Sequence, residues 1–138
     1  MPRTRAEREL LAPREDVWRF IAEPRHLSDW WPGVAAVEPD RRGLARGARW
    51  VLRRSAPGLV ARAEKPVMLV VREVDEPARF AFHLAGERLD VVLELESRPE
   101  RTLARLIVDG PLLLAFRRSL PRIALERLYG LIQTGVTL

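Results

Sequence analysis

Three features of this 138-residue chain predict an α+β fold built on one antiparallel sheet. A strand-like opening segment runs into two compact helical turns. Six alternating apolar and polar runs follow between turn signals, and the chain closes on an amphipathic helix. About seven strands in one sheet follow from that order. The length suits a single domain over residues 1–138, large enough to bury a core without disulfide or metal staples. No repeat, low-complexity stretch or linker divides it.

The first strand is expected over Thr4–Ala12, with Ala6 and Leu10 on one face and Arg5, Glu7 and Glu9 on the other. Arg8 shares the parity of Ala6 and Leu10 and is therefore expected to face inward. Pro13 stops the strand. Arg14, Glu15 and Asp16 place acids at a helix start, and Val17, Trp18, Phe20 and Ile21 supply its apolar face. Pro24 closes that helix. A second short turn over Arg25–Trp31 ends at Pro32-Gly33.

Strands are then expected at 34–38, 48–55, 63–74, 79–85, 87–97 and 102–109, separated by proline, glycine and acidic turn residues. The clearest is 87–97, where Leu89, Val91, Leu93 and Leu95 alternate with Arg88, Asp90, Glu94 and Glu96. Strand 79–85 sets Phe80, Phe82 and Leu84 against Arg79, Ala81 and His83, which puts His83 on the wet face. Val67–Val71 is apolar on both faces, which fits a covered outer face, a dimer contact or a central strand shaded by arginine stems. A terminal helix over about 111–133 is expected to open at Gly110-Pro111 and to kink at Pro121.

Composition excludes several function classes. Cysteine is absent, which removes thiolate metal sites, disulfides and a cysteine nucleophile. With two histidines and no HxH or HExxH spacing, no metal site and no cofactor are expected. The net charge is +5, yet the arginines are scattered and no basic run of five occurs, so nucleic acid is not an expected partner. All but one of the 24 basic residues are arginine and asparagine is absent, which fits a GC-rich genome; the scarcity of thermolabile side chains and the 11 prolines would also suit heat adaptation. The longest apolar runs, 67–71 and 112–116, fall far short of the roughly 20 residues of a membrane span. No secretory h-region is visible, and the cytoplasm is the expected address.

The stretch Ala12-Pro13-Arg14-Glu15-Asp16-Val17-Trp18-Arg19-Phe20-Ile21, with Glu23-Pro24-Arg25-His26-Leu27 and Trp30-Trp31-Pro32-Gly33-Val34, resembles the opening of the START-related (SRPBCC) superfamily. That superfamily includes the polyketide cyclase/dehydrase-like and birch-pollen-allergen-like proteins. Gly43–Trp50, the Glu73–Pro77 turn and Gly110-Pro111 fit the same pattern, so the resemblance spans essentially the whole chain. It implies a helix-grip fold, a curved antiparallel sheet wrapped around a long C-terminal helix with a cavity between them. It also implies an apolar ligand there or, in some members, polyketide cyclisation or dehydration. The inward arginine, tyrosine and asparagine groups of known cyclases are thinly matched: tyrosine occurs once, at Tyr129, and asparagine never.

The residues offer a candidate pocket lining of Arg8, Trp30, Trp31, Trp50, Leu52, Leu69, Phe80, Phe82, Val91, Leu93, Leu106, Phe116 and Leu120. The resemblance places Trp30 and Trp31 at its rim, and small inward residues at Ala36, Ala48 and Ala104 are expected to leave room inside. Each aromatic taken alone reads first as plain core, and it is as a set, through the resemblance, that they point to a cavity. An inward Arg8 would clamp a carboxylate or phosphate; the alternative is an arginine snorkelling past the sheet edge. His26, Ser28 and Asp29 lie close in sequence but lack an elbow or oxyanion motif, and Ser28 and Asp29 serve equally as turn and cap residues. No catalytic residue is assigned. Three functions remain: a carrier or sensor of a small apolar or amphipathic molecule, a cyclase/dehydrase-like enzyme, or a protein-interaction module with a closed core. The expected state is a monomer or homodimer without stable membrane insertion.

Overall fold

The computed structural model describes residues 3–54, 66–111 and 118–136. One seven-stranded sheet is formed by β1 (Arg3–Leu10), β2 (Val34–Glu38), β3 (Arg49–Arg54), β4 (Val67–Asp75), β5 (Arg79–Leu84), β6 (Leu89–Arg98) and β7 (Arg101–Asp109). Helix α1 (Arg14–Ile21), a 3-10 turn (Pro24–His26) and α2 (Leu27–Trp30) separate β1 from β2, and α3 (Leu120–Val136) follows β7. The sheet order is β1-β7-β6-β5-β4-β3-β2, every pair antiparallel. Strands β2 to β7 thus form a meander, and β1 closes the far edge beside β7.

Parity along the strands decides what is buried. Leu89, Val91, Leu93 and Leu95 of β6, Phe80, Phe82 and Leu84 of β5, and Trp50 and Leu52 of β3 are all buried in one apolar core. Leu120, Ala124, Leu125, Leu128 and Ile132 bring one face of α3 into that same core, where the helix lies against β1, β7 and α2. This is the helix-grip arrangement: the sheet curves around α3 and buries the stripes of both. Two register shifts, between Val34 and Ala36 and between Val71 and Glu73, bend β2 and β4.

The bulge in β2 overturns one expectation. Ala48 and Ala104 are buried as the pattern requires, but Ala36 is exposed. The extra residue at the bulge breaks the alternation, so Ala35 and Ala36 both face out while Val34 and Val37 face in. The terminal helix also differs from its expected course. Pro111 lies outside any helix, and α3 begins at Leu120, so Pro121 stands in its first turn. There the missing N–H removes no helical bond, and no mid-helix kink arises from it. Residues 112–117, which carry the expected first turns, Phe116 and the Leu112–Leu114 run, lie outside the described residues, as does the expected strand start at 63–65.

The outer face carries charge in an ordered way. Glu7 of β1, Arg105 of β7, Glu94 of β6, Arg79 of β5 and Glu73 of β4 form an unbroken cross-strand ladder of alternating sign. Arg105 reaches Glu7 at 3.0 Å and Glu94 at 3.5 Å, and Arg79 reaches Glu94 at 2.5 Å and Glu73 at 3.1 Å. The hydrogen bond and charge of Glu7, joined by those of Glu94, raise the Arg105 pKa above its ordinary value. His83 faces outward as expected and sits 2.9 Å from Asp90 across β5 and β6. On β4, Met68 is exposed and Val70 is half-buried, so the outer side of this central strand is only partly shaded.

Candidate functional site

A cavity of about 210 Å³ opens where the curved sheet meets the start of α3. Trp31 and Pro32 from the α2–β2 junction, Val34 of β2, Leu52 and Arg54 of β3, and Val67 of β4 form one part of its wall. Leu84 of β5, Glu87 and Leu89 at the β5–β6 turn, and Leu120 of α3 are its other described members. Local sequence explains the placement. Pro32 and the positive φ of Gly33 (84°) turn the chain sharply out of α2, so that Trp31 stays buried and faces the strands. An edge-to-face contact with Phe82, centroids 5.6 Å apart, fixes the Trp31 ring.

Behind Trp31 the aromatics form a continuous chain. Trp30 meets Trp31 edge-on at 6.0 Å, Phe82 meets Phe80 at 5.1 Å, and Phe80 meets Trp50 at 5.9 Å. The Trp50 indole N–H donates to the Gly43 carbonyl at 2.8 Å, whereas the buried Trp30 Nε1 has no hydrogen-bond partner. Of the expected lining, Trp31, Leu52 and Leu120 line this cavity. Trp30, Trp50, Leu69, Phe80, Phe82, Val91, Leu93 and Leu106 are buried as packed core around or behind it. Phe116 lies outside the described residues.

Arg8 is held elsewhere. It faces α3, as its parity requires, where its guanidinium stacks 4.1 Å from the Tyr129 ring centroid and pairs with Glu126 at 3.1 Å. The snorkelling alternative describes this better than a clamp does: β1 is an edge strand, and the stem lies between apolar core and water. The charge that does line the cavity is Arg54. It continues the inward face of Trp50 and Leu52, stands opposite Val34 in the ladder, and pairs with Glu87. Both side chains are largely shielded, at 34% and 17% exposure, which strengthens the pair over a surface one. The signal for Arg54 was present in the alternation of β3, since an arginine two residues beyond Leu52 shares the face of Trp50 and Leu52.

The cluster of His26, Ser28 and Asp29 contains no relay. His26 stacks on Phe20 with centroids 4.2 Å apart, and its Nδ1 donates to the Phe20 carbonyl at 2.6 Å. The Ser28 hydroxyl donates to the Arg25 carbonyl at 2.9 Å, a local turn contact rather than a bond to the imidazole. A larger hollow between α1 and α3, lined in part by Phe20, His26, Leu131 and Ile132, is more open to solvent. Among the described residues no three His, Asp or Glu side chains gather as a metal would need, and no helix is long and apolar enough to cross a membrane.

A curved sheet gripping a terminal helix over an apolar cavity defines the helix-grip class of folds, and comparison with known families agrees. The chain belongs to the polyketide cyclase/dehydrase and lipid transport family, whose model matches residues 1–130. No curated protein matches it in sequence. Among solved structures, protein NE0264 from Nitrosomonas europaea is similar at 18% identity and a TM-score of 0.74, covering 99% of this chain and 97% of its own. The protein TTHA0849 from Thermus thermophilus is similar at 22% identity and a TM-score of 0.72, covering 97% and 99%. The Aha1 dimer from Colwellia psychrerythraea is similar at 14% identity and a TM-score of 0.71, covering 96% of each chain.

Proposed function

We propose that this chain binds one small apolar or amphipathic molecule in the cavity between the sheet and α3, as a carrier or sensor in the cytoplasm. The observation that carries the reading is the wall itself: among the described residues eight of its members are apolar or proline, and the two charged ones, Arg54 and Glu87, form an ion pair. An apolar lining with few polar groups is the ordinary form of a small-molecule site. An enzyme acting on polyketide-like substrates would call for several convergent, unpaired polar groups inside, and this wall does not offer them.

Size narrows the occupant. A volume of about 210 Å³ exceeds the ~150 Å³ cavity that admits benzene and falls below the ~300 Å³ at which drug-sized sites begin. The matching ligand has roughly ten non-hydrogen atoms, such as one ring with a short chain or a medium aliphatic chain. Burying about 200 Å² of such a body yields about 5 kcal/mol before association costs, so shape and a polar contact must supply the rest.

Native mass spectrometry of the purified protein, followed by extraction, tests the proposal. The expected result is a released molecule of this size class that raises the melting temperature when added back, in proportion to its concentration. A protein that carries nothing and shows no melting shift with any small apolar compound contradicts it and favours the interaction-module reading.

A further inference from the structure

We propose that the molecule taken by this cavity is a small monocarboxylate, its carboxylate on Arg54 and its apolar body between Trp31 and Leu84; this rests on the cavity-binding reading above. Arg54 is a charged residue on an otherwise apolar inward stripe, two positions beyond Leu52, which is 2% exposed. Placing a guanidinium there carries a desolvation cost that a partner must offset, and Glu87 supplies one carboxylate.

One carboxylate does not saturate an arginine. A guanidinium has five N–H donors in a planar fork and can serve two carboxylates at once. This protein uses that capacity twice on its outer face: Arg79 bridges Glu73 and Glu94, and Arg105 bridges Glu7 and Glu94. Arg54 has Glu87 as its one carboxylate partner among the described residues, and it lines a cavity. The remaining donors of the guanidinium are the position this proposal gives the ligand. A singly charged head gives Arg54 the same two-carboxylate arrangement and adds less negative charge to a shielded place than a dianion would. The chain's net charge of +5 favours the approach of an anion.

Octanoate and octan-1-ol make the test, since they share a chain and differ in the head. Each is titrated into the wild-type protein, with binding read from tryptophan fluorescence and melting temperature. Octanoate is expected to bind about tenfold or more tightly than octan-1-ol, the difference a charge-assisted hydrogen bond makes. Arg54→Gln is expected to bring octanoate affinity down to that of the alcohol, and Arg54→Lys to recover part of the loss. Equal wild-type affinities overturn the carboxylate proposal and leave the cavity reading standing, a comparison that needs no variant to fold. An octanoate preference that survives in Arg54→Gln also overturns it. Failure of both compounds to bind overturns the cavity reading and this proposal together.

Discussion

The hydroxyl of Thr102, the one fully buried polar side chain among the described residues, donates a 2.8 Å hydrogen bond to the carbonyl of Ala12. The bond ties the start of β7 to the turn between β1 and α1, across 90 residues of sequence. Thr102→Val keeps the shape but leaves the Ala12 carbonyl unpaired in a dry place. The expected loss is about 1–3 kcal/mol in denaturant unfolding, with Thr102→Ser closer to the wild type.

Leu93 and Glu94 are neighbours with opposite fates. Leu93 has no exposed surface, so Leu93→Asp buries an uncompensated charge and is expected to cost more than about 3 kcal/mol. Glu94 faces outward, but it joins Arg79 to Arg105 in the ladder and is therefore more than a solvated residue. Glu94→Ala is expected to lower the melting temperature slightly, by an amount that shrinks with added salt. Equal effects of the two substitutions would show the β6 register to be wrong by one residue.

The difference between those two residues was legible in sequence alternation alone, as were the strand order and the inward stripes. What alternation cannot show is an inserted residue, and so the β2 bulge reversed Ala36. It also cannot show which outward charges meet across strands, because the ladder through Glu94 depends on register between segments far apart in sequence. The cavity was legible as an apolar interior but not as a place. Most of the candidate lining turned out to be packed core, since parity marks a face as inward without saying where along the strands the packing runs out. Arg54 was within reach of parity; Glu87, expected to open strand 87–97 on the parity of Leu89 and Val91, stands instead in the β5–β6 turn, which has no fixed face.

Gly110 is needed for its lack of a side chain. A Cβ there would lie 2.5 Å from the Leu89 Cδ2 and 2.9 Å from the Arg88 carbonyl oxygen. The Leu89 tip can rotate, but the Arg88 backbone holds a turn with a positive φ of 56° and cannot easily retreat. Gly110→Ala is expected to destabilise the protein by about 1–3 kcal/mol in thermal or denaturant unfolding. Because Leu89 lines the cavity, the same variant is expected to bind ligand more weakly.

Asp40 organises the β2–β3 connection by accepting the backbone N–H groups of Arg42 at 3.0 Å and Arg49 at 2.9 Å. The Arg49 N–H is the main cause that holds its carboxyl below the usual range; desolvation opposes it, and the Arg42 N–H and guanidinium add to the lowering. A carboxyl whose pKa is lower folded than unfolded adds stability above its unfolded pKa. That stability is lost as pH falls through the folded value. Asp40→Ala is therefore expected to melt at a lower temperature than the wild type at pH 7. The gap should close as pH falls below the folded pKa, where both states protonate the acid. A gap independent of pH would assign its origin to packing rather than to the charge.

The central claim is that the space beside Trp31 is a binding site, and the indole N–H resonances of the tryptophans test it most directly. The chain has four tryptophans; Trp31 lines the cavity, while Trp18 lies on α1 away from it. On titration with octan-1-ol, the Trp31 signal is predicted to shift saturably and by the largest amount, with Trp18 unmoved. A Trp31 signal that stays fixed, or shifts no more than that of Trp18, would contradict the account.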